Sequence, residues 1–80
     1  MPANSTYKTS DFTEILFLMS HSAPILATER DGERVTFVFD NSDGQCWLLA
    51  NDYYLGRDQV SASRILAERQ RALRIIRRAS

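Results

Sequence analysis

The chain has 80 residues, and ten Lys and Arg balance ten Asp and Glu, so its formal net charge is zero. One Cys and one His exclude an intrachain disulfide framework, a thiolate zinc site and a histidine-cluster metal site. With 44% hydrophobic residues and balanced charge, the composition is that of a folded domain rather than a disordered segment.

So small a domain buries a modest fraction of its surface, and without disulfides or metal the expected supplement is oligomerisation. The longest apolar run is Ile15 to Met19, far short of the ~20 residues that span a bilayer. The first ten residues carry Lys8 but no apolar core of a secretory signal. The expectation is a cytoplasmic protein without a membrane partner or a cofactor. The zero net charge hides a division: residues 1–56 sum to −5 and residues 57–80 to +5, and nine of the ten cations are Arg.

In chain order, residues 1–6 are small and polar and are expected to be disordered. Tyr7 to Thr9 forms either a short edge strand or a lead into the first helix. Thr9 or Ser10 is the expected N-cap, with Asp11 in the first turn. The helix runs to about residue 20. Phe12, Ile15, Leu16 and Met19 share one stripe, and Phe17 and Leu18 lie outside it. A helix apolar nearly all round is either central or shared with a partner. Pro24 ends it.

Residues 25–30 and 33–40 flank Asp31-Gly32, a hairpin signal. A type I′ turn there pairs Arg30 with Glu33, Glu29 with Arg34 and Leu26 with Phe37. It also places Leu26, Val35, Phe37 and Phe39 on one face. Ser42-Asp43-Gly44-Gln45 reads as a capping box before a second helix that Gly56 stops. Cys46, Leu49, Ala50 and Tyr53 form its inner stripe, Trp47 and Tyr54 one flank, and Leu48 and Leu55 the outside. Arg57-Asp58-Gln59 is a linker. Val60 and Ile65 bracket Ser61 as a hydrophobic staple around the N-cap of a third helix. Ala62, Ile65, Leu66, Ala72, Leu73 and Ile76 form its apolar stripe. Arg64, Arg71, Arg74 and Arg78 cluster on the other side.

Three segments carry a family resemblance. They are Tyr7-Lys8-Thr9-Ser10-Asp11-Phe12, then Arg34-Val35-Thr36-Phe37-Val38-Phe39-Asp40, and then Asp52-Tyr53-Tyr54-Leu55-Gly56 followed by Val60-Ser61-Ala62. In this order they resemble a family of short uncharacterised bacterial and phage proteins, a domain of unknown function. The chain departs from that pattern in Phe17 and Met19 to His21, and in the Arg-rich last helix. The resemblance implies one small domain of bacterial or phage origin and assigns no catalytic or binding residue.

Catalytic chemistry finds little to work with. Cys46 falls on an inner stripe, where a free Cys acts as a small apolar residue, and His21 reads as a surface or helix-end residue. Asp40, Asp43 and Asp52 are explained by capping and solubility. Gly32, Gly44 and Gly56 form no phosphate-cradling loop. Trp47 and Tyr54 either stack on single strands, or cover the hairpin or seal a dimer, and the latter kind of reading is preferred. Arg69 lies inside the apolar stripe, where it snorkels or pairs with an acid such as Asp40 or Asp52.

The expected architecture is therefore α+β: a helix, an antiparallel β-hairpin and two helices (α-β-β-α-α), with residues 7–80 as a single domain. Phe17, Leu18, Leu48, Leu55 and Ile75 lie off their helices' main stripes, and this surplus apolar surface predicts a homodimer or a protein partner. The first functional expectation is a non-enzymatic, self-associating interaction module. The second is a nucleic-acid-associated protein that meets phosphates through Arg64, Arg71, Arg74 and Arg78, with a salt slope of about −3.6 on duplex DNA. The Arg stripe has a plainer reading too, as a solvated face or a basic helix packed on an acidic body. Helix packing within the monomer requires Leu66, Leu73 and Ile76 to be buried.

Overall fold

The computed structural model describes residues 5–56 and 60–78. Residues 1–4 of the expected disordered start, the linker Arg57-Asp58-Gln59 and the last two residues lie outside the described residues. The elements are β1 (Thr6–Thr9), α1 (Phe12–Ser20), β2 (Ile25–Asp31), β3 (Arg34–Asp40), α2 (Gln45–Tyr54) and α3 (Ala62–Arg78). The fold is α+β, and Tyr7 to Thr9 is a strand rather than a helix lead. Order starts earlier than expected, since Ser5 already accepts a bond from the Asn41 amide at 2.7 Å.

The N-cap of α1 is Asp11, not Thr9 or Ser10. Its Oδ1 accepts from the amides of Thr13 (3.0 Å) and Glu14 (3.2 Å), two donors that a helix start leaves without partners. Thr9 Oγ1 accepts from the Asp11 amide at 3.1 Å, one step upstream. The other end is a Schellman motif: Ala23 donates to the Leu18 carbonyl and Ser22 to that of Met19. Ser22 holds the left-handed position there, at φ 63.

Glu14 to Ser20 are all buried, so α1 is the central helix of the monomer. Phe17 and Leu18 are therefore core residues and not a partner surface. The inner sheet face, α2 and α3 surround α1 and cover the side that a lone amphipathic helix would expose. Each such side chain contributes about 2 kcal/mol of burial.

The sheet has the order β1-β3-β2 and is antiparallel throughout. Phe37, Phe39, Tyr7 and Thr9 share the face towards α1; Val38, Lys8 and Ala27 lie on the other. The hairpin register differs from the expected one. Asp31 pairs with Arg34, so Gly32 and Glu33 are the turn, and Thr28 rather than Leu26 faces Phe37. Gly32 has φ 64 and Glu33 does not have positive φ, the signature of a type II′ turn with Gly in its first central position. Glu29 and Arg30 accordingly face Thr36 and Val35. A bulge between Ile25 and Ala27 turns Leu26 out of the core, where it is 57% exposed, and places Ile25 opposite Phe39.

The start of α2 uses Asn41 and Asp43, not Ser42 and Gln45. Asn41 Oδ1 accepts from the Trp47 amide and Asp43 Oδ1 from the Gln45 amide, while Gly44 is the N-cap. Gly56, at φ 75, closes the helix behind the C-cap Leu55, as read from the sequence. For α3, Ser61 Oγ accepts from the Arg64 amide, and Val60 and Ile65 both pack on the core. Ala72 is completely buried on the side of α3 that packs against α1. Ile75, read as surplus surface, is half-buried on the same core, as is Ile76, and Leu73 is half-buried too. Leu66 departs from the stripe and is 63% exposed, because six residues place it about 120° around the helix from Ala72.

Candidate interaction surfaces

The first notable site lies under the start of α1. Glu14 is 1% exposed, and its carboxylate accepts bonds from Tyr7 (2.7 Å), Thr9 (2.5 Å) and Tyr54 (3.3 Å). Strand β1 supplies two of these hydroxyls and α2 the third. Buried polar groups are stable only when so partnered. Burial, followed by the bond to Glu14, pushes the Tyr7 hydroxyl well above its ordinary value. The negative charge of Glu14 raises that of Tyr54. Sequence reasoning counted Glu14 only as one acid among many. Its signal was a lone charge inside an apolar helix, three residues after the Asp11 cap.

Cys46 adjoins this cluster. Burial, then the charges of Glu14, Asp40 and Asp43, push its thiol up to about 11. A thiol raised in this way stays protonated at neutral pH and is a poor nucleophile. His21 shares with Cys46 a cavity of about 190 Å³, rimmed also by Asp40 and Asp43. Among the described residues no hydrogen bond joins His21 to Cys46. The His21 ring packs instead beside Phe17, with centroids 4.6 Å apart. No cluster of three or more His, Cys, Asp or Glu among the described residues is arranged to hold a metal ion.

The second site is the outer face of α2. The inner stripe is as read: Cys46 and Ala50 are buried, and Leu49 and Tyr53 pack on the core. On the outside, Trp47, Leu48, Tyr54 and Leu55 are between 43% and 65% exposed. At 3.6 residues per turn, Trp47 and Tyr54, then Asn51, then Leu48 and Leu55 follow one another around the helix. Asp52 is the sole charged residue between Gln45 and Leu55. Trp47, Tyr54, Ala50 and Asn51 also border a shallow depression of about 210 Å³ against Tyr7. Of the five expected surface residues, Leu48 and Leu55 lie on this face, and Phe17, Leu18 and Ile75 do not.

The third site is the basic side of α3. Arg64, Arg71, Arg74 and Arg78 are all exposed, as is Arg77. They do not form one uniform stripe. Glu68 lies 3.8 Å from Arg64 and 3.1 Å from Arg71, and Arg64 also donates to Ser22 Oγ at 2.9 Å. Arg74, Arg77 and Arg78 make no ion pair or side-chain hydrogen bond among the described residues. Arg69 is exposed and paired with neither Asp40 nor Asp52. No helix among the described residues is long and apolar enough to cross a membrane.

Comparison with protein-family models, with curated proteins and with solved structures gives no match to this chain.

Proposed function

We propose that this protein is a small non-enzymatic interaction module that self-associates through the outer face of α2. One observation carries the reading: Trp47, Leu48, Tyr54 and Leu55 are exposed on one side of a helix with one charged residue, as two apolar pairs on either side of Asn51. Such clustered apolar residues mark interaction surfaces, whereas scattered exposed Leu residues do not.

The chemistry of that face favours a second copy of the chain as its occupant. A two-fold contact sets each residue near its own counterpart or a neighbour on the same face. A charged surface repels itself in that arrangement, and the outside of α2 does not. The basic side of α3 does. Trp and Tyr are also the residue types that concentrate binding energy at interfaces.

The test uses Trp47, the sole Trp of the chain. Its emission is expected to shift to shorter wavelength as concentration rises through the micromolar range, in step with a doubling of the mass in sedimentation. Leu48→Glu with Leu55→Glu is expected to give a folded monomer. A wild-type monomer at tens of micromolar, or a dimer unaffected by both substitutions, rejects the reading.

A further inference from the structure

We propose that the guanidinium groups at the end of α3, those of Arg74, Arg77 and Arg78, are a docking surface for the phosphate backbone of a nucleic acid. This goes beyond self-association and does not depend on it.

The four-residue step from Arg74 to Arg78 covers about 6 Å of helix axis. Arg74, Arg77 and Arg78 lie within that step, are exposed, and find no acid among the described residues. The only acid of α3, Glu68, is engaged by Arg64 and Arg71, one turn and more away from them. The charge is held on a fixed rod, because Ala72 is completely buried and Ile75 and Ile76 are seated on the core. Guanidinium is weakly hydrated and forks onto two oxygens of one phosphate, so Arg suits this contact better than Lys. Duplex DNA presents one charge per ~1.7 Å of axis, so about three to four phosphates lie within about 6 Å.

The alternatives fit less well. A helix that lies on an anionic membrane needs an apolar face to bury among the acyl chains. That face of α3 is already occupied by α1 and the core. An acidic peptide at its densest carries one charge per ~3.3 Å of extended chain, about half the linear charge density of duplex DNA.

Three phosphate contacts give a log–log salt slope of about −2.7, or about a 40-fold loss of affinity between roughly 50 and 200 mM salt. The experiment is fluorescence anisotropy of a labelled duplex of about 20 base pairs with the full chain at those two salt concentrations. Competitors are phosphatidylserine vesicles and polyglutamate. Arg74→Glu with Arg78→Glu is expected to weaken binding more than tenfold, and Arg74→Lys with Arg78→Lys to weaken it much less. Ala67→Glu, which removes no Arg but adds an acid one turn before Arg71 and two turns before Arg74, is a second variant in case the first misfolds. It is expected to weaken binding as well. Absence of binding at the lower salt overturns the proposal. So does binding indifferent to these substitutions, or displacement of the duplex by vesicles or polyglutamate at equal charge. A monomer that binds DNA in this manner supports the inference and removes self-association, so the two readings fail separately.

Discussion

Tyr7 and Glu14 belong to different elements, and the Tyr7 hydroxyl donates to the buried Glu14 Oε2 at 2.7 Å. The second oxygen is held by Thr9 at 2.5 Å and by the more exposed Tyr54 at 3.3 Å. A hydrogen bond to a charged group contributes about 1.5–3 kcal/mol, and a long bond at an exposed side chain contributes less. Tyr7→Phe is expected to cost about 2 kcal/mol in urea unfolding, and Tyr54→Phe under about 1 kcal/mol. The ranking is the test: a Tyr54→Phe loss equal to or above that of Tyr7→Phe contradicts the assigned geometry.

Cys46 makes a prediction in alkali. Its thiol has an ordinary value of 9.0 and is pushed up to about 11 in the fold. Above pH 9 the unfolded chain loses this proton while the folded one keeps it, so unfolding becomes more favourable. Stability from this group is full below pH 9 and declines as pH rises to about 11, at up to about 1.4 kcal/mol per pH unit. Cys46→Ala is expected to flatten that part of the stability profile, measured by chemical unfolding from pH 8 upwards. A profile with the same slope in both proteins rejects the buried-thiol account.

The parts of this fold that were legible in the sequence are those set by local chemistry. Ser61 caps α3, Val60 and Ile65 staple it, and Gly56 stops α2. The misreadings required distant contacts. The Asp31-Gly32 reading put Gly32 second in the turn, but Gly also suits the first central position, and the bulge at Leu26 leaves no sequence signal. Strand β1 has four residues and exists through pairing with β3, some 30 positions away. Phe17 and Leu18 were correctly off the main stripe, but whether a helix is central depends on what surrounds it. Glu14 was overlooked because its three partners come from two other elements. The exposed face of α2 was half legible: Leu48 and Leu55 were singled out as surface.

Ser22 carries a strain that glycine would relieve. It occupies the left-handed position after α1 at φ 63, where the Cβ of an L-residue meets backbone. Its hydroxyl accepts from Arg64 at 2.9 Å, an exposed contact of small value. Ser22→Gly is expected to stabilise the protein by about 0.5 kcal/mol, the relief of strain exceeding the added freedom of the unfolded chain and the lost bond. Ser22→Ala keeps the strain, loses the bond and is expected to destabilise slightly. Thermal melts of the two variants should move in opposite directions, and a Gly variant melting below wild type contradicts the assignment of strain.

Ala72 and Leu66 sit on one helix and should differ in how sensitive they are to substitution. Ala72 is completely buried on the side of α3 that faces α1, and Leu66 is 63% exposed. Ala72→Leu adds three carbons where there is no space, and overpacking of this kind costs about 1–3 kcal/mol. With a melting shift of about 4–8 °C per kcal/mol in a domain of this size, the loss is readily measured. Leu66→Gln removes an apolar group that water already reaches, so unfolding free energy should stay within about 0.5 kcal/mol of wild type. Measured at a dilution that keeps the protein monomeric, a large loss for Leu66→Gln together with tolerance of Ala72→Leu means that α3 is rotated from its described face. A loss for Leu66→Gln that appears only at high concentration places Leu66 in a contact between copies of the chain, next to rather than within the face assigned to α2.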